Sequence, residues 1–192
     1  FDASTPFGRL AMTHVLSTGG DALVALVLAG SLFFSLDPAG ARWRIALYLL
    51  FTMAPFALIG PLIGPLMDRM PGGRRLLLIG SCVGRGAIAL LMISSAGSDS
   101  LLLFPEAFGM LVLAKSYAVA KAALVPSVVI GDHALVEANS KLQVLSGLAV
   151  PIAAIPAAVA FAIGGSEGIL VVAVVAYAAA ALAATRIPAC PR

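Results

Sequence analysis

The chain has 192 residues, of which 61% are hydrophobic and 11% are charged, and its mean hydropathy is +1.06. A soluble domain has about 45–50% apolar and about 25% charged residues, so this composition excludes a soluble domain and indicates an integral membrane protein. The formal charge of +3 comes from 12 basic and 9 acidic residues that are scattered along the chain, which excludes a nucleic-acid-binding surface.

Six apolar segments, separated by turn and charge signals, are each long enough to cross a hydrocarbon core about 30 Å thick. In chain order they cover residues 7–36, 44–67, 76–95, 101–125, 142–163 and 168–184. Only helices fill spans of this length, because membrane β-strands are about 10 residues long and alternate in polarity. The sequence therefore predicts one all-α transmembrane bundle of six helices over residues 1–192, with no large domain outside the membrane.

Basic residues in the connections predict the orientation, since Lys and Arg collect on the cytoplasmic side of a membrane. Two lie on one side, Arg42 and Arg44. Seven lie on the other: Arg9, Arg69, Arg74, Arg75, Lys141, Arg186 and Arg192. This bias predicts a multi-pass protein of the plasma (inner) membrane with both ends of the segment in the cytoplasm.

Glycine and proline within the predicted spans mark bends and close approaches between helices. Gly60 and Gly64 form a small-xxx-small pair in the second span, a spacing that permits close helix packing. Pro151 and Pro156 predict a kink in the fifth span, because each proline removes a backbone donor. Ordinary tight packing is the alternative interpretation of the glycines.

Ionisable residues inside spans cost about 2.5–3.5 kcal/mol on insertion scales, so they are candidates for function. Asp21 lies near the middle of the first span and Lys115 near the middle of the fourth. Asp21 is either a proton-titrating or substrate-contacting carboxylate in a cavity, or one half of a structural ion pair with Lys115 or Arg85. For Arg85 we expect packing against a carboxylate partner. Helical phase separates Lys115 from Tyr117 and Lys121, so these two faces of the fourth span cannot line one cavity.

The remaining polar candidates favour binding or packing over catalysis. Gln143, Ser146 and Tyr117 either contact a solute or hydrogen-bond between helices, and packing is the favoured interpretation of the first two. His14 and His133 lack the partners of a nucleophilic site and the spacing of a metal site, and no phosphate-binding loop is present. We therefore expect no catalytic residue, metal or cofactor, and no enzyme.

The connection after the second span reads Gly64-Pro-Leu-Met-Asp68-Arg69-Met-Pro-Gly-Gly-Arg74-Arg75. It resembles the signature loop of the major facilitator superfamily, Gly-x-Leu-x-Asp-Arg-x-Gly-Arg-Arg/Lys, and it occupies the same place between the second and third helices. Two extra residues within 70–72 depart from that pattern. The resemblance implies that these five named residues form a gate between inward-facing and outward-facing states. The alternative is that the arginines only anchor the cytoplasmic side.

Two further stretches are similar to efflux-type members of that superfamily. They are Gly20-Asp21 in the first span and Ala120-Lys-Ala-Ala-Leu-Val-Pro126 with Leu135-Val-Glu-Ala-Asn139. The resemblance implies that Asp21 and Lys115 face a central cavity, in which they take part in substrate binding and coupling.

At the level of the whole chain, the resemblance implies the N-terminal six-helix half of a twelve-helix transporter, built as two inverted three-helix repeats. The chain begins at Phe1 rather than Met, and we expect it to be a piece of a longer protein. The implied function is proton-coupled efflux of a small amphipathic molecule by alternating access. Its partners would be the bilayer, the substrate, protons, and a second half from the same or another chain. The alternative is an accessory subunit of a larger membrane complex that transports nothing itself.

Overall fold

The computed structural model describes residues 5–34, 72–95, 102–129 and 131–188. Those ranges contain four helices: α1 (Pro6–Phe34), α2 (Gly73–Ser95), α3 (Leu103–Val128) and α4 (Asp132–Thr185). Each helix includes a stretch that is long and apolar enough to cross a membrane. All regular secondary structure in the described ranges is helical, as the composition predicts.

The prediction of six transmembrane helices in two inverted three-helix repeats is wrong, since the described ranges contain four helices. The predicted fifth and sixth spans both lie within one helical element, α4, which is interrupted at Gly165. The predicted second span, 44–67, lies outside the described residues.

Helix α4 has one interior residue with non-helical backbone angles, Gly165, at φ 60° and ψ −144°. Glycine adopts this conformation easily because it has no Cβ. A Cβ added to Gly168 would contact the carbonyl oxygen of Ala160, although residues eight apart on a straight helix are separated by about 12 Å. The chain therefore folds back at Gly165, and α4 consists of two arms, 132–164 and 166–185. The first arm stays helical through Pro151 and Pro156, and the kinks predicted there stay a prediction.

The interior consists of two apolar clusters, one toward each end of the bundle. The first includes Leu10, Leu78 and Tyr117, and the second includes Leu23 and Tyr177. Helix α1 packs mainly on α4, which also contacts α2, and α2 packs on α3. Burial of these side chains leaves a layer of polar groups between the two clusters, which is the candidate site.

The outward faces of the helices carry large apolar side chains. On the first arm of α4, Val136, Ile155 and Ile163 are 71%, 70% and 83% exposed. Such faces would aggregate in water, but they match the hydrocarbon chains of a bilayer. Exposure and length together indicate that the bundle lies in a membrane.

Candidate functional site

One face of α1 carries four polar side chains, His14, Ser17, Thr18 and Asp21. Their spacing of three or four residues places them in a row along the helix. Ser17 is fully buried and His14 is 6% exposed, so this row points into the bundle. The remaining helices supply the groups that meet it.

Arg85 of α2 is the centre of the site and is fully buried. Its Nη1 donates to both carboxylate oxygens of Asp21, at 2.6 and 2.9 Å, and its Nη2 donates to Oγ of Ser17 at 2.7 Å. Its Nε donates to the backbone oxygen of Ser81 at 3.2 Å. The guanidinium group is therefore both neutralised and hydrogen-bonded, as a charge in an apolar bundle must be.

Two tyrosine rings enclose the Arg85 guanidinium, one from each apolar cluster. Its Cζ lies 4.8 Å from the ring centroid of Tyr117 on α3 and 4.9 Å from that of Tyr177 on α4. Both distances are within the range of a cation–π interaction. The Tyr177 hydroxyl also donates to Oδ1 of Asp21 at 2.7 Å. All four described helices thus meet at one ion pair.

Solvent access to this ion pair is unequal. The Arg85 side chain is 0% exposed, whereas that of Asp21 is 40% exposed. The carboxylate is therefore the more accessible member of the pair. Of the two interpretations of Asp21 that the sequence left open, the structure has the ion pair with Arg85.

Gly20 precedes Asp21 and determines how closely α4 approaches α1. A Cβ at Gly20 would lie 2.8 Å from a ring carbon of Tyr177. Only glycine leaves room for the ring at this position, and the ring must lie there for the Tyr177 hydroxyl to reach Asp21. The Gly20-Asp21 pair is thus one structural unit.

A second polar group surrounds His14, next to the ion pair. Its Nε2 lies 2.6 Å from Oγ of Ser146 on α4 and 3.3 Å from Nζ of Lys121 on α3. Its Nδ1 lies 3.5 Å from both Oγ1 of Thr18 and the Tyr117 hydroxyl. Tyr117 stacks on the imidazole with 6.0 Å between ring centroids, so it touches both polar groups. We call these five residues the His14 cluster.

Arginine side chains join helix ends at one end of the bundle. Nη1 of Arg9 donates to the backbone oxygen of Arg186 at 2.6 Å, and Arg75 donates to that of Thr185. Nη1 of Arg74 donates to the oxygen of Ala123 at 3.4 Å. The carbonyls of Thr185 and Arg186 lie at the end of α4, where unpaired oxygens carry partial negative charge, whereas Ala123 lies within α3. Four of the seven basic residues that the sequence assigned to one side therefore lie at the same end of the bundle.

The predicted gate is described only in part. Arg74 and Arg75 connect the start of α2 to the ends of α3 and α4. Gly64, Asp68 and Arg69 lie outside the described residues. The role of these five residues as a conformational gate therefore stays a prediction.

The other predicted site residues lie at different depths. Lys115 is partly exposed on α3, while the Tyr117 and Lys121 side of that helix faces α1. Gln143 is exposed, and Ser146 hydrogen-bonds across to α1. The roles of Lys115 and Gln143 in a cavity stay predictions. Within the described ranges, no group of three His, Cys, Asp or Glu side chains is arranged to bind a metal.

Sequence reasoning missed His14 and Lys121 as members of one cluster. The signal that was present is the spacing of His14, Ser17, Thr18 and Asp21, which marks a polar face on an otherwise apolar helix. The side of α3 that meets this face depends on tertiary packing.

The chain is similar in sequence to several mycobacterial proteins. An uncharacterized protein of Mycobacterium leprae is 41% identical over 169 residues, which cover 83% of this chain and 29% of that protein. An uncharacterized protein of Mycobacterium tuberculosis is 43% identical over 148 residues, which cover 73% of this chain and 26% of that protein. The chain thus spans less than a third of the length of these curated relatives.

A shorter match carries functional information. An uncharacterized MFS-type transporter of Mycobacterium tuberculosis is 40% identical over 82 residues, which cover 43% of this chain and 18% of that protein. No family model and no solved structure matches the chain. The chain is a membrane protein, and part of it is similar to an MFS-type transporter.

Proposed function

We propose that the chain forms part of a secondary active transporter of the major facilitator type. It would export a small amphipathic molecule in exchange for protons, by alternating access. The observation that carries the proposal is the ion pair between buried Arg85 and partly exposed Asp21, which joins α1 and α2 and is bonded to α4. The partial similarity to an MFS-type transporter supports the same function.

The coupling step in this proposal is protonation of Asp21. A protonated carboxyl loses the charge that strengthens its bonds from Arg85 and Tyr177, and charge-assisted bonds are about twice as strong as neutral ones. The contacts between α1, α2 and α4 then weaken together. Arg85 keeps its bond to Ser17 and its position between the two tyrosine rings, so its charge is still stabilised when Asp21 is neutral. Release of the proton restores the original packing.

The proposal also assigns a role in the transport cycle to the basic end of the bundle. We place both ends of the segment in the cytoplasm, with the arginine contacts to the helix ends holding one conformation. Asp68 and Arg69 would act with Arg74 and Arg75 as the gate. Further helices, from the remainder of a longer protein or from another chain, would complete the transport pathway.

The test is gradient-driven flux in liposomes that contain the full-length protein. Ethidium and carboxyfluorescein serve as cationic and anionic amphipathic probes, and their accumulation is followed by fluorescence under an imposed pH gradient. We expect accumulation of at least one probe, abolished by a protonophore and by Asp21→Asn, and reduced by Asp68→Asn. Glu137→Gln is the matched control, because Glu137 is an exposed carboxylate that is paired only with Lys141 on the same helix.

Two results would count against this function. Absence of gradient-dependent flux for both probes, together with stable co-purification in a larger complex, would favour the accessory subunit. Full activity of both Asp variants would remove the assigned roles of those residues.

A further inference from the structure

We propose that the His14 cluster binds the anionic group, a carboxylate or a phosphate, of an amphipathic molecule. The proposal names the substrate class of the transporter and in that sense rests on the proposed function. Its evidence is separate, because it comes from the hydrogen-bonding capacity and charge of His14, Lys121 and Ser146, which the coupling step does not use.

The cluster has more hydrogen-bond donors than acceptors. Lys121 can only donate, and the Ser146 hydroxyl donates its proton to the backbone oxygen of Leu142 at 2.9 Å. His14 Nε2 is within reach of both Lys121 and Ser146. With a lone pair, Nε2 accepts from Lys121 but faces the lone pairs of Ser146. With a proton, it donates to Ser146 but faces the ammonium group. Nε2 therefore satisfies one neighbour and not the other.

An anionic oxygen removes this conflict. Beside the Lys121 ammonium and the Nε2–H group of His14, whose nitrogens are 3.3 Å apart, such an oxygen accepts from both once the lysine side chain turns to admit it. Ser146 keeps its bond to the backbone. Charge-assisted bonds of this kind are the strong ones in an interior of low dielectric constant. A neutral or cationic solute supplies no such acceptor.

The charge balance around the cluster also favours an anion. Within the described ranges the ion pairs join Arg85 to Asp21 and Lys141 to Glu137, and neither includes Lys121. Arg74 reaches the backbone at Ala123, two residues beyond Lys121, so the cluster lies next to the arginine-rich end of the bundle. The local field is therefore positive and attracts an anionic group.

The cluster has a closed interior and an open side. His14 and Tyr117 are buried, with 6% and 4% exposure. Thr18, Lys121 and Ser146 are partly exposed. A headgroup can thus enter past Lys121 and Ser146, while its apolar tail remains among the apolar side chains outside. This arrangement suits an amphipathic anion better than a small inorganic one.

Direct binding to the full-length protein in nanodiscs tests the proposal without any need for transport. Octyl phosphate and octanoate are the probes, octyltrimethylammonium is the cationic comparison, and calorimetry measures the dissociation constants. We expect both anions to bind the wild type and the cation to bind at least about tenfold more weakly. Lys121→Gln should lose anion binding, and Lys121→Arg should retain most of it because the charge and donors remain.

Matched variants separate the site from general charge effects. Lys141→Gln removes an exposed lysine from the same bundle and should leave binding unchanged. Should Lys121→Gln fail to fold, His14→Phe keeps the lysine charge, removes the second donor to the anion and should weaken anion binding several-fold. Equal binding of the cation, or unchanged anion binding in both the Lys121→Gln and His14→Phe variants, would overturn the proposal.

The lipid composition of the nanodiscs distinguishes the two possible sources of the anion, a lipid headgroup and a soluble amphiphile. In discs of phosphatidylcholine alone, the octyl anions should bind freely. If phosphatidylglycerol competes with them, the natural occupant is a lipid headgroup, and if it does not, the occupant is a soluble amphiphile. Anion binding without gradient-driven flux would support the anion site and contradict the transport function. Gradient-driven flux without anion binding would support the transport function and contradict the anion site.

Discussion

Arg85 brings a full positive charge into the interior of an apolar bundle. Removing a cation from water costs several kcal/mol, and the loss is offset by Asp21, Ser17, a backbone oxygen and two aromatic rings. The sequence could identify Asp21 and name Arg85 as a partner, because a charge inside a span needs a counter-charge. It could not identify the tyrosines, since their positions depend on how α3 and α4 rotate against α2.

A double-mutant cycle tests the coupling between the two charges. Asp21→Asn leaves Arg85 buried without a counter-charge and should cost about 2–4 kcal/mol of unfolding free energy. Adding Arg85→Met, which removes the charge at similar length, should recover part of that loss. The measurement is unfolding in mixed detergent and dodecyl sulfate micelles. Strictly additive effects of the two substitutions would show that the pair is not coupled.

At the scale of the helices, two glycines control the arrangement. Gly20 admits the Tyr177 ring against α1, and Gly165 allows α4 to fold back. The sequence showed the apolar length of both arms of α4 and a glycine-rich connection between them. The prediction of six separate helices was wrong, because a local apolar pattern does not reveal that these two arms form one element with a turn at a single glycine.

Substitution of Gly20 tests the close approach of α1 and α4. Gly20→Ala places a Cβ against the Tyr177 ring, and we expect a cost of about 1–3 kcal/mol from overpacking. Gly30→Ala is the control on the same helix, where an added Cβ has no neighbour within 4 Å. That change should be neutral or stabilise the helix by up to about 1 kcal/mol. Equal thermal stability of the two variants would contradict the packing described here.

The turn at Gly165 gives a second test at this scale. Gly165→Ala forces a side chain into a backbone conformation that is almost exclusive to glycine, at a cost of about 1–3 kcal/mol. Gly147→Ala, in a helical and open part of the same element, should be tolerated. Thermal unfolding of the purified protein measures both. A tolerated Gly165→Ala would mean that α4 passes this point without the turn.

For the whole molecule, the described helices form a bundle with one strongly basic end and a polar layer between two apolar clusters. The sequence predicted the membrane class, and it grouped on one side four arginines that lie at one end of the described helices, because both follow from composition and spacing. It missed the His14 cluster, which depends on contacts between α1, α3 and α4 that are more than 100 residues apart in the chain.

We predict that the basic end of the bundle lies on the cytoplasmic side of the membrane. In a background without Cys82 and Cys190, Lys141→Cys should be protected in intact cells from a membrane-impermeant maleimide. Glu167→Cys, an exposed position beside the turn at Gly165, should react. Permeabilised cells, in which both positions should react, provide the control. Labelling of Lys141→Cys in intact cells would place the basic end outside and contradict the proposed topology.

In the proposed transport cycle, a proton on Asp21 drives movement of the helices that Arg85 holds together. The most direct measurement compares gradient-driven accumulation with equilibrium exchange of the same fluorescent probe in liposomes, for wild type, Asp21→Asn and Glu137→Gln. We predict that Asp21→Asn loses accumulation by at least about tenfold, equivalent to about 1.4 kcal/mol, but retains exchange, while Glu137→Gln behaves as wild type. Gradient-driven accumulation by Asp21→Asn at the wild-type level would contradict the account.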